Sequence, residues 1–484
     1  MTVLDRYRPG IAACDETGES FDRSHQPLIV MAGEGPPSTA CGVGPGKGVN
    51  GGPAPAMTDS TDRASEPPIS LSDSLSPPCV LGTADLTAFA YRGNGTDQIL
   101  RRIARYHDAQ RHEAARSYDM AVACQLDFRR ADGLQNLNAA LQRCDVFRIA
   151  RGHTRAGALR LLALMAPGDL MTNTPLDFLT NHLNVRLDLL YLLPHRPLPP
   201  TIPDHDIAFF AVGETTPETL SRLNRLFAAW PRPVLNDPRF LPAMQRDTLS
   251  RSLSAVPGIR SPAAMAVTRR DLEAGGDIRS LGMGYPCLIR PLGSHAGSGL
   301  ARLEDGYQLR EYLRSSSGRA FYLTEFEDYR GVDGLYRKYR IAFVGGKPFL
   351  CHMAVSEHWM VHYLNAGMTE STMKRDHEAA AMAGFDSGFG RRHEAAFAAL
   401  HERLGFDVYS IDCGETRDGR LLMFEADTAA IIHLMDPPGL FPYKQPQMRR
   451  VFDAFENLLR RRARGNDDEG GRPRARWDRE EDHF

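Results

Sequence analysis

Two short apolar stretches, Val408-Tyr-Ser-Ile-Asp412 and Leu421-Leu-Met-Phe-Glu425-Ala-Asp427, flank the turn sequence Asp418-Gly-Arg420. The pattern predicts a β-hairpin, because Asp-Gly favours a tight turn between two strands. Side chains alternate between the two faces of a strand, so Glu425 and Asp427 lie on one face. Since Asp412 ends the partner strand, three carboxylates can converge there. Oxygen ligands of this kind suit Mg²⁺ held between a protein and phosphate groups.

A second interpretation is that Asp418-Gly419 only makes the turn and that the carboxylates are exposed. Against it, Glu425 and Asp427 interrupt an otherwise apolar strand, where a charge without a partner is costly. We therefore expect Asp412, Glu425 and Asp427 to form a metal site.

A second hairpin is predicted where Tyr336-Arg-Lys-Tyr-Arg340 continues through a Gly345-Gly346 turn into a returning strand. Lys338 and Arg340 are two residues apart and therefore point to the same face. Two cations on one face can offset the charge of a triphosphate or an acyl phosphate. Taken alone, they are equally consistent with a solvated strand face.

A third feature is the short strand Pro286-Cys-Leu-Ile-Arg-Pro291, which ends in a cation and is followed by a loop with Gly293, Gly297 and Gly299. Such a loop lets backbone N–H groups approach an anion, although glycines also serve ordinary turns. It is not a Walker loop, since no Gly-Lys-Ser/Thr closes it.

A fourth feature is Phe321-Tyr-Leu-Thr-Glu-Phe326, which we predict to be an edge-type strand with backbone groups free to pair with a nucleobase. Acidic residues follow it, at Glu327, Asp328 and Asp333, and can accept hydrogen bonds from ribose hydroxyls. The alternative is a strand that simply exits into acidic residues.

The order of these parts resembles the ATP-grasp superfamily, which includes D-alanine–D-alanine ligase, glutathione synthetase and the ribosomal-protein glutamate ligases. The resemblance covers residues 158–460 and implies ATP and Mg²⁺ as cofactors, with Mn²⁺ as an alternative ion. One departure is Asp427, where the family usually has Asn. Arg246 lies near a position where members often carry a nucleotide-binding Lys.

The resemblance assigns a role to each motif. It implies nucleotide contacts from the strand-end cation, the glycine loop, the linker strand and nearby polar residues: Arg290, Gly293, Ser294, His295, Gly297, Ser298, Gly299, Thr324, Glu325, Phe326, Asp333 (or Asp328) and Lys338. It implies that Arg340, together with Arg290, is catalytic and steadies an acyl phosphate. It implies metal binding by Asp412 and Glu425, with Asp427 at the third position.

The implied reaction is ATP-dependent and ADP-forming. A small-molecule or peptide carboxylate is activated as an acyl phosphate and joined to an amine. One rival is a small-molecule kinase of the same fold. Another is a nucleotide-binding scaffold without turnover, against which Asp412 and Glu425 occurring together argue. Outside the motifs, His358, His362 and His433 are candidate substrate contacts, with satisfied buried histidines as the alternative.

Composition limits the partners further. The chain has 484 residues, 43 Gly and 33 Pro, and a formal net charge of −2. A balanced charge disfavours binding to nucleic acid. The sequence contains no apolar run near the ~20 residues that span a bilayer. Eight scattered Cys residues suggest neither zinc nor a disulfide framework, which favours a cytoplasmic protein.

The expected fold class is α/β (α+β), an ATP-grasp fold preceded by a small α/β domain. We predict a disordered Gly/Pro/Ser-rich leader at 1–80, a helical segment at 81–157, an α/β domain at 158–262, an ATP-grasp domain at 263–462 and a disordered charged tail at 463–484. The helices of 96–150 resemble tetratricopeptide hairpins in their A-x-x-Y pattern, so they are either a protein-contact module or a cap on the next domain.

Overall fold

A computed structural model describes residues 66, 68–150, 156–213, 215–275, 277–294 and 297–465. The strands are β1 (Ser70–Ser72), β2 (Cys79–Val80), β3 (Val146–Ile149), β4 (Leu159–Met165), β5 (Val185–Tyr191), β6 (Thr201–Pro203), β7 (Ile207–Phe210), β8 (Val234–Leu235), β9 (Ile259–Arg260), β10 (Ala264–Thr268), β11 (Cys287–Pro291), β12 (Ala301–Leu303), β13 (Ala320–Glu325), β14 (Tyr336–Val344), β15 (Lys347–Ser356), β16 (Val408–Glu415) and β17 (Leu421–Asp427). The α-helices are α1 (Gly82–Tyr91), α2 (Thr96–Gln110), α3 (Glu113–Leu126), α4 (Arg130–Leu141), α5 (Leu176–Thr180), α6 (Pro217–Ala229), α7 (Arg246–Leu253), α8 (Arg269–Ala274), α9 (Gly306–Ser315), α10 (Thr372–Ala383), α11 (Phe389–Arg392), α12 (Glu394–Leu404) and α13 (Lys444–Ala463).

The first large sheet has the strand order β2-β3-β5-β4-β7-β8. Strands β5, β4, β7 and the edge strand β8 are parallel, and only the β3–β5 pair is antiparallel. Continuous apolar runs form β4 and β7, whose side chains at 161–164 and 207–210 are almost completely buried. Such runs are typical of strands covered on both faces. The mixed α/β class expected from the sequence is therefore confirmed.

The helices before this sheet pack on it. Tyr118 of α3 lies with its ring 4.9 Å from that of Phe147 in β3, and Ile99 and Ile103 of α2 belong to the same apolar core. Strands β2 and β3 lie on the N-terminal side of the predicted boundary at 157/158, yet they pair within this sheet. The helices are thus a cap on the α/β unit, because their apolar faces are buried against it.

The ends of the chain differ in part from the expectation. Residues 1–65 and 67 of the predicted disordered leader lie outside the described residues. The rest of that leader contains β1 and β2, and the disorder prediction is wrong there, because β1 pairs in parallel with β6 and β2 pairs with β3. Of the predicted tail, residues 466–484 lie outside the described residues, and α13 extends to Ala463.

The second half contains two further sheets. An antiparallel four-stranded sheet has the order β10-β13-β11-β12 and its own apolar core. A five-stranded sheet has the order β15-β14-β16-β17-β9, and its core is continuous with that of the first sheet. Both predicted hairpins, β14–β15 and β16–β17, form in this sheet. Strand β9 pairs with β17, so the sheet also crosses the predicted boundary at 262/263.

Among the described residues, no helix is both long enough and apolar enough to cross a membrane.

Candidate functional site

A cavity of about 380 Å³ is lined by residues of both sheets of the second half. Strands β11 and β13 of the four-stranded sheet form one wall, and β14, β15, β16 and β17 form another. The N-terminal unit also contributes, with Tyr91 from α1 and Met171 from the loop after β4. The cavity is therefore formed by the N-terminal unit, the four-stranded sheet and the five-stranded sheet together.

A row of four polar side chains crosses the five-stranded sheet. Arg340 of β14 is the cross-strand partner of His352 on β15 and of Asp412 on β16, and Asp412 in turn faces Glu425 on β17. Direct cross-strand partners share one face of a sheet. All four line the cavity. Each interrupts an apolar strand, so the alternation of the strands delivers them to the same wall.

Asp412 is held by two cations. Arg340 donates two hydrogen bonds to its carboxylate, at 2.8 and 2.9 Å, and the Nζ of Lys338 lies 2.7 Å from Oδ2. Burial raises the pKa of Asp412, but Arg340 and Lys338 outweigh it and hold that pKa well below its usual range. Burial likewise opposes the charge of Arg340, whose pKa is nevertheless raised by Asp412. Asp412 and Arg340 therefore stay ionised.

Glu425 is paired with Arg246, which reaches it from the first turn of α7. Burial raises the pKa of Glu425, but the cations Arg246, Lys338 and Arg290 together lower it below its usual value, so the group is a carboxylate at neutral pH. Asp427 also lines the cavity, and its Oδ1 accepts a 2.6 Å hydrogen bond from the N–H of Ala429. The sequence indicated Arg246 only as a nucleotide contact, whereas here it pairs with Glu425.

These carboxylates fit a shared metal ion better than an all-protein metal cage. Within the described part of the chain, no three His, Cys, Asp or Glu side chains are grouped closely enough to hold a metal ion alone. Mg²⁺, however, is usually bound by one or two carboxylates plus the phosphates of a nucleotide and water. Asp412 and Glu425 are adjacent, ionised and open to the cavity, so they fit that donor set.

Arg290 lies at the end of β11 and lines the same cavity. Burial, reinforced by Arg246, lowers its pKa to about 10, although Glu425 acts in the opposite direction. Its guanidinium donates to the Oγ of Ser294 at 3.1 Å and to the carbonyl of Ser294. The loop that follows is thereby attached to the strand-end cation.

The glycine loop contains backbone that favours glycine. Gly293, Gly297 and Gly299 all have positive φ, between 65° and 78°. Gly297 lines the cavity, whereas Gly293, Ser294, Ser298 and Gly299 lie beside it without lining it. His295 lies outside the described residues.

Strand β13 and the backbone at its end differ from the expectation in two ways. Strand β13 is not an edge strand, since β10 and β11 pair with its two sides. The backbone N–H groups of Glu325 and Phe326 already donate to carbonyls of Ala263 and Pro286. Thr324, Glu325 and Phe326 do line the cavity, together with Glu327.

The carboxylates expected to bind ribose lie elsewhere. Asp333 and Asp328 are not among the lining residues. Asp333 is paired with Arg337, and Asp328 with Arg330. Glu325 and Glu327 are the acidic residues that reach the cavity on this side, and both pair with Arg260 at 2.7 Å.

Two of the three predicted substrate histidines line the cavity. Burial, with Lys338 and Arg340 nearby, lowers the pKa of His362 to about 4, so its ring is neutral at pH 7. Burial also lowers the pKa of His433. His358 is exposed and is not a lining residue, although its backbone N–H donates to Ser356.

Sequence reasoning missed three lining residues near the start of α13. They are His352, Asp436 and Lys444. His352 interrupts an apolar strand, as Glu425 does, and the same signal could have identified it. Lys444 and Asp436 lie in a stretch without regular alternation, so only the tertiary structure brings them to the cavity.

The comparisons with known proteins can now be set beside this geometry. No protein-family model matches the chain, and no curated protein matches it. Matches to solved structures include a D-alanine–D-alanine ligase from Bacillus anthracis complexed with ATP, with 14% identity, a TM-score of 0.38, and coverage of 64% of this chain and 99% of that chain. The VanG D-Ala:D-Ser ligase from Enterococcus faecalis matches with 12% identity, a TM-score of 0.40, and coverage of 62% and 99%.

A third match is a RimK domain protein, ATP-grasp, from Sphaerobacter thermophilus, with 19% identity, a TM-score of 0.36, and coverage of 62% and 99%. Identities below 20% and TM-scores of 0.40 or less leave the activity and the substrates to be judged from the residues of this chain.

Proposed function

We propose that this chain is an ATP-grasp enzyme that activates a carboxylate as an acyl phosphate, forms ADP, and joins the acyl group to an amine. The observation that carries the proposal is the row of Arg340, Asp412 and Glu425 across three adjacent strands, in one cavity with Lys338 and Arg290. The substrates proposed are a small-molecule or peptide carboxylate and an amine.

The arrangement supplies what phosphoryl transfer needs, which is positioning and charge neutralisation. ATP and a carboxylate are both anionic, so bringing them together is electrostatically unfavourable. Four cations line this part of the cavity: Arg246, Arg290, Lys338 and Arg340. Because Asp412 fixes Lys338 and Arg340, these two cations are oriented before substrates bind.

Asp412 and Glu425, with Asp427 beside them, are the residues that would hold Mg²⁺. The ion would neutralise charge on the phosphates when bound. The Arg246 guanidinium keeps Glu425 ionised, and the two cations on Asp412 do the same for that carboxylate. Both groups are therefore ready ligands at neutral pH.

The test is ADP release from the full chain with pools of carboxylates and amines, with hydroxylamine added to trap acyl phosphate. We expect ADP release that depends on a carboxylate, and an acyl hydroxamate when hydroxylamine is present. In Glu425→Gln we expect the rate to fall at least ~100-fold with the fold retained, since one oxygen ligand and its charge are lost. Circular dichroism and the unfolding temperature check the fold.

Asp418→Asn is the matched control, because Asp418 lies in the turn of the same hairpin and outside the cavity. It should turn over at the normal rate. Ordinary turnover by Glu425→Gln would show that the hairpin carboxylates do not form the metal site. Phosphorylated product without hydroxamate or a new amide would favour a kinase, and no ATP consumption with any pool would favour a scaffold.

A further inference from the structure

One end of the cavity lies at the first turn of α13 and has a charge distribution of its own. Lys444, the first residue of that helix, is almost fully buried. Its Nζ lies 2.5 Å from the hydroxyl of Tyr363, 3.1 Å from Asp436 and 3.5 Å from Glu378. The three donors of this ammonium are thus directed at protein groups. Lys444 is occupied by its neighbours and is not free for a substrate.

Glu378 is enclosed behind this end of the cavity. It accepts hydrogen bonds from the N–H of Met353 at 3.0 Å, from Tyr363 at 2.8 Å and from Tyr443 at 2.6 Å. The Lys444 ammonium lies 3.5 Å from the same carboxyl group, so protein groups surround Glu378 on every side that these contacts describe. One lysine therefore faces two carboxylates.

Asp436 is the member of this group that reaches the cavity. Its side chain is about one-tenth exposed, and that exposed part faces the cavity it lines. Burial raises its pKa, but Lys444 and His433 lower it further, so it is a carboxylate at neutral pH. Its nearest cation is Lys444, which also faces Glu378, so among the described residues Asp436 has no cation to itself.

The two neighbouring histidines do not supply that cation. The Nδ1 of His433 accepts a hydrogen bond from the N–H of Met435, as a neutral ring does. Burial lowers the pKa of His433 and also that of His352, where Arg340 adds to the effect. Both rings are uncharged at pH 7.

The opposite part of the cavity is lined by four cations, Arg246, Arg290, Lys338 and Arg340. Carboxylates line it as well: Asp412, Glu425 and Asp427, and also Glu325 and Glu327, which pair with Arg260. At the α13 end the lining cation is Lys444, whose contacts are with Tyr363, Asp436 and Glu378. A carboxylate that is nine-tenths buried and shares its cation favours a ligand of opposite charge.

The remaining wall at the α13 end is aromatic and apolar. Tyr91 of α1 has its ring centroid 5.9 Å from that of His433, and Met171, Ile431 and Met435 line the same cavity. An aromatic face beside a carboxylate is a favourable environment for an ammonium group. The apolar side chains suit an apolar substituent on it.

We propose that the α13 end of the cavity binds the nucleophilic substrate as a primary ammonium with an apolar substituent, held by Asp436 and the ring of Tyr91. The role of this ligand as the nucleophile rests on the proposed ligase function. Its binding can be measured without turnover. It names the chemical class of the amine, which the motifs do not.

The test measures binding of three probes of similar shape by ligand-observed NMR, using the full chain with Mg²⁺ and a non-hydrolysable ATP analogue. The probes are butylammonium, 1-butanol and butyrate. We expect butylammonium to bind the native chain most tightly, and its Kd to rise about tenfold or more in Asp436→Asn, which removes a charge-assisted hydrogen bond. Butanol binding should be the same in both proteins.

Glu357→Gln is the matched control, because Glu357 also pairs with a lysine, Lys374, but lies outside the cavity. It should leave the Kd of butylammonium unchanged. If Asp436→Asn does not fold, Tyr91→Leu takes its place and should weaken butylammonium several-fold through loss of the aromatic face.

Equal Kd values for butylammonium in the native chain and the variant would overturn the inference, as would tighter binding of butyrate than of butylammonium. If butylammonium binding depends on Asp436 but no ADP is released, the proposed function is contradicted and the ammonium subsite is supported. If ADP is released normally but butylammonium binding does not depend on Asp436, the proposed function is supported and the ammonium subsite is contradicted.

Discussion

Gly299 and Gly293 belong to the same loop and share a left-handed backbone, with φ of +65° and +70°. They differ in their surroundings. A Cβ at Gly299 would lie 2.7 Å from Cδ of Pro291, whereas nothing lies within 4 Å of a Cβ at Gly293. The hydroxyl of Tyr312 also donates to the carbonyl of Gly299 at 2.6 Å. A side chain at Gly299 must therefore displace the loop.

We expect Gly299→Ala to raise the KM for ATP about tenfold or more, because displacement of a binding loop by about 1 Å misplaces its contacts. Gly293→Ala carries only the cost of the left-handed backbone, about 1 kcal/mol, and should change that KM little. Steady-state ADP release over a range of ATP concentrations measures both. Equal KM values for the two variants would show that contact with Pro291 does not set the loop position.

Asp412 presents a second contrast at the residue scale, with Asp418 in the same hairpin. Asp412→Asn leaves the partly buried cations Lys338 and Arg340 without their buried carboxylate, and we expect the free energy of unfolding to fall by about 3 kcal/mol. Asp418 pairs with Arg420 at the surface, so Asp418→Asn should cost less than about 1 kcal/mol. Urea unfolding followed by circular dichroism measures both. Equal losses of unfolding free energy in the two variants would contradict the interpretation that Asp412 is held by Lys338 and Arg340.

At the scale of elements, Glu415 connects a helix pair to the five-stranded sheet. It accepts hydrogen bonds at 3.0 Å from Arg392 at the end of α11, and its Oε1 lies 3.0 Å from Nε2 of His393, the residue before α12. Burial raises the pKa of Glu415, but His393 and Arg392 bring it down from 4.5 to about 2. The carboxylate form therefore stabilises the folded state.

Because the folded pKa of Glu415 is depressed, its contribution is fully present above pH 4.5 and is lost as the pH falls through about 2. We expect Glu415→Gln to lower the free energy of unfolding at pH 7 and to reduce its decline between these pH values. Urea unfolding at a series of pH values tests this. Glu394→Gln, a change on the surface of α12, should retain the native pH profile. Identical profiles for Glu415→Gln and the native chain would refute the assignment.

At the scale of the whole molecule, Asn236 joins the two sheets that share the main core. It follows β8, is buried, and has φ of +59°. Its side-chain amide donates to the carbonyl of Val408 in β16 at 2.7 Å and accepts from the N–H of Val408 at 2.8 Å. This amide therefore links the end of the first sheet to β16 of the five-stranded sheet through two hydrogen bonds, in addition to their shared apolar core.

We expect Asn236→Ala to lower the free energy of unfolding by about 3 kcal/mol, because two buried backbone groups lose their partners. Asn236→Gly suits the left-handed backbone, so the difference between the two variants isolates the backbone cost of roughly 1 kcal/mol. Thermal and urea unfolding measure both. A chain with Asn236→Ala that unfolds at the native midpoint would show that the sheets are held together without this contact.

Much of the five-stranded sheet could be predicted from alternation alone. Charged residues that interrupt apolar strands, such as Arg340 and Glu425, must share a face with their neighbours of the same parity, and the Gly345-Gly346 and Asp418-Gly419 turns define which strands pair. The strand-end position of Arg290 and the glycines after it are also local properties. These features depend on sequence separations of a few residues, which the chain specifies directly.

Partners from distant parts of the chain could not be predicted in this way. The pairing of Asp412 with Lys338 and Arg340, and of Glu425 with Arg246, depends on how sheets and helices pack. The same holds for the α13 end, where Tyr91, Asp436 and Lys444 come from separate elements. The sequence by itself determined the alternating strands, the turns and the charged positions on them, because period and turn chemistry are local. Only the tertiary structure decided which charges meet, because burial and long-range packing choose the partner that each buried charge requires.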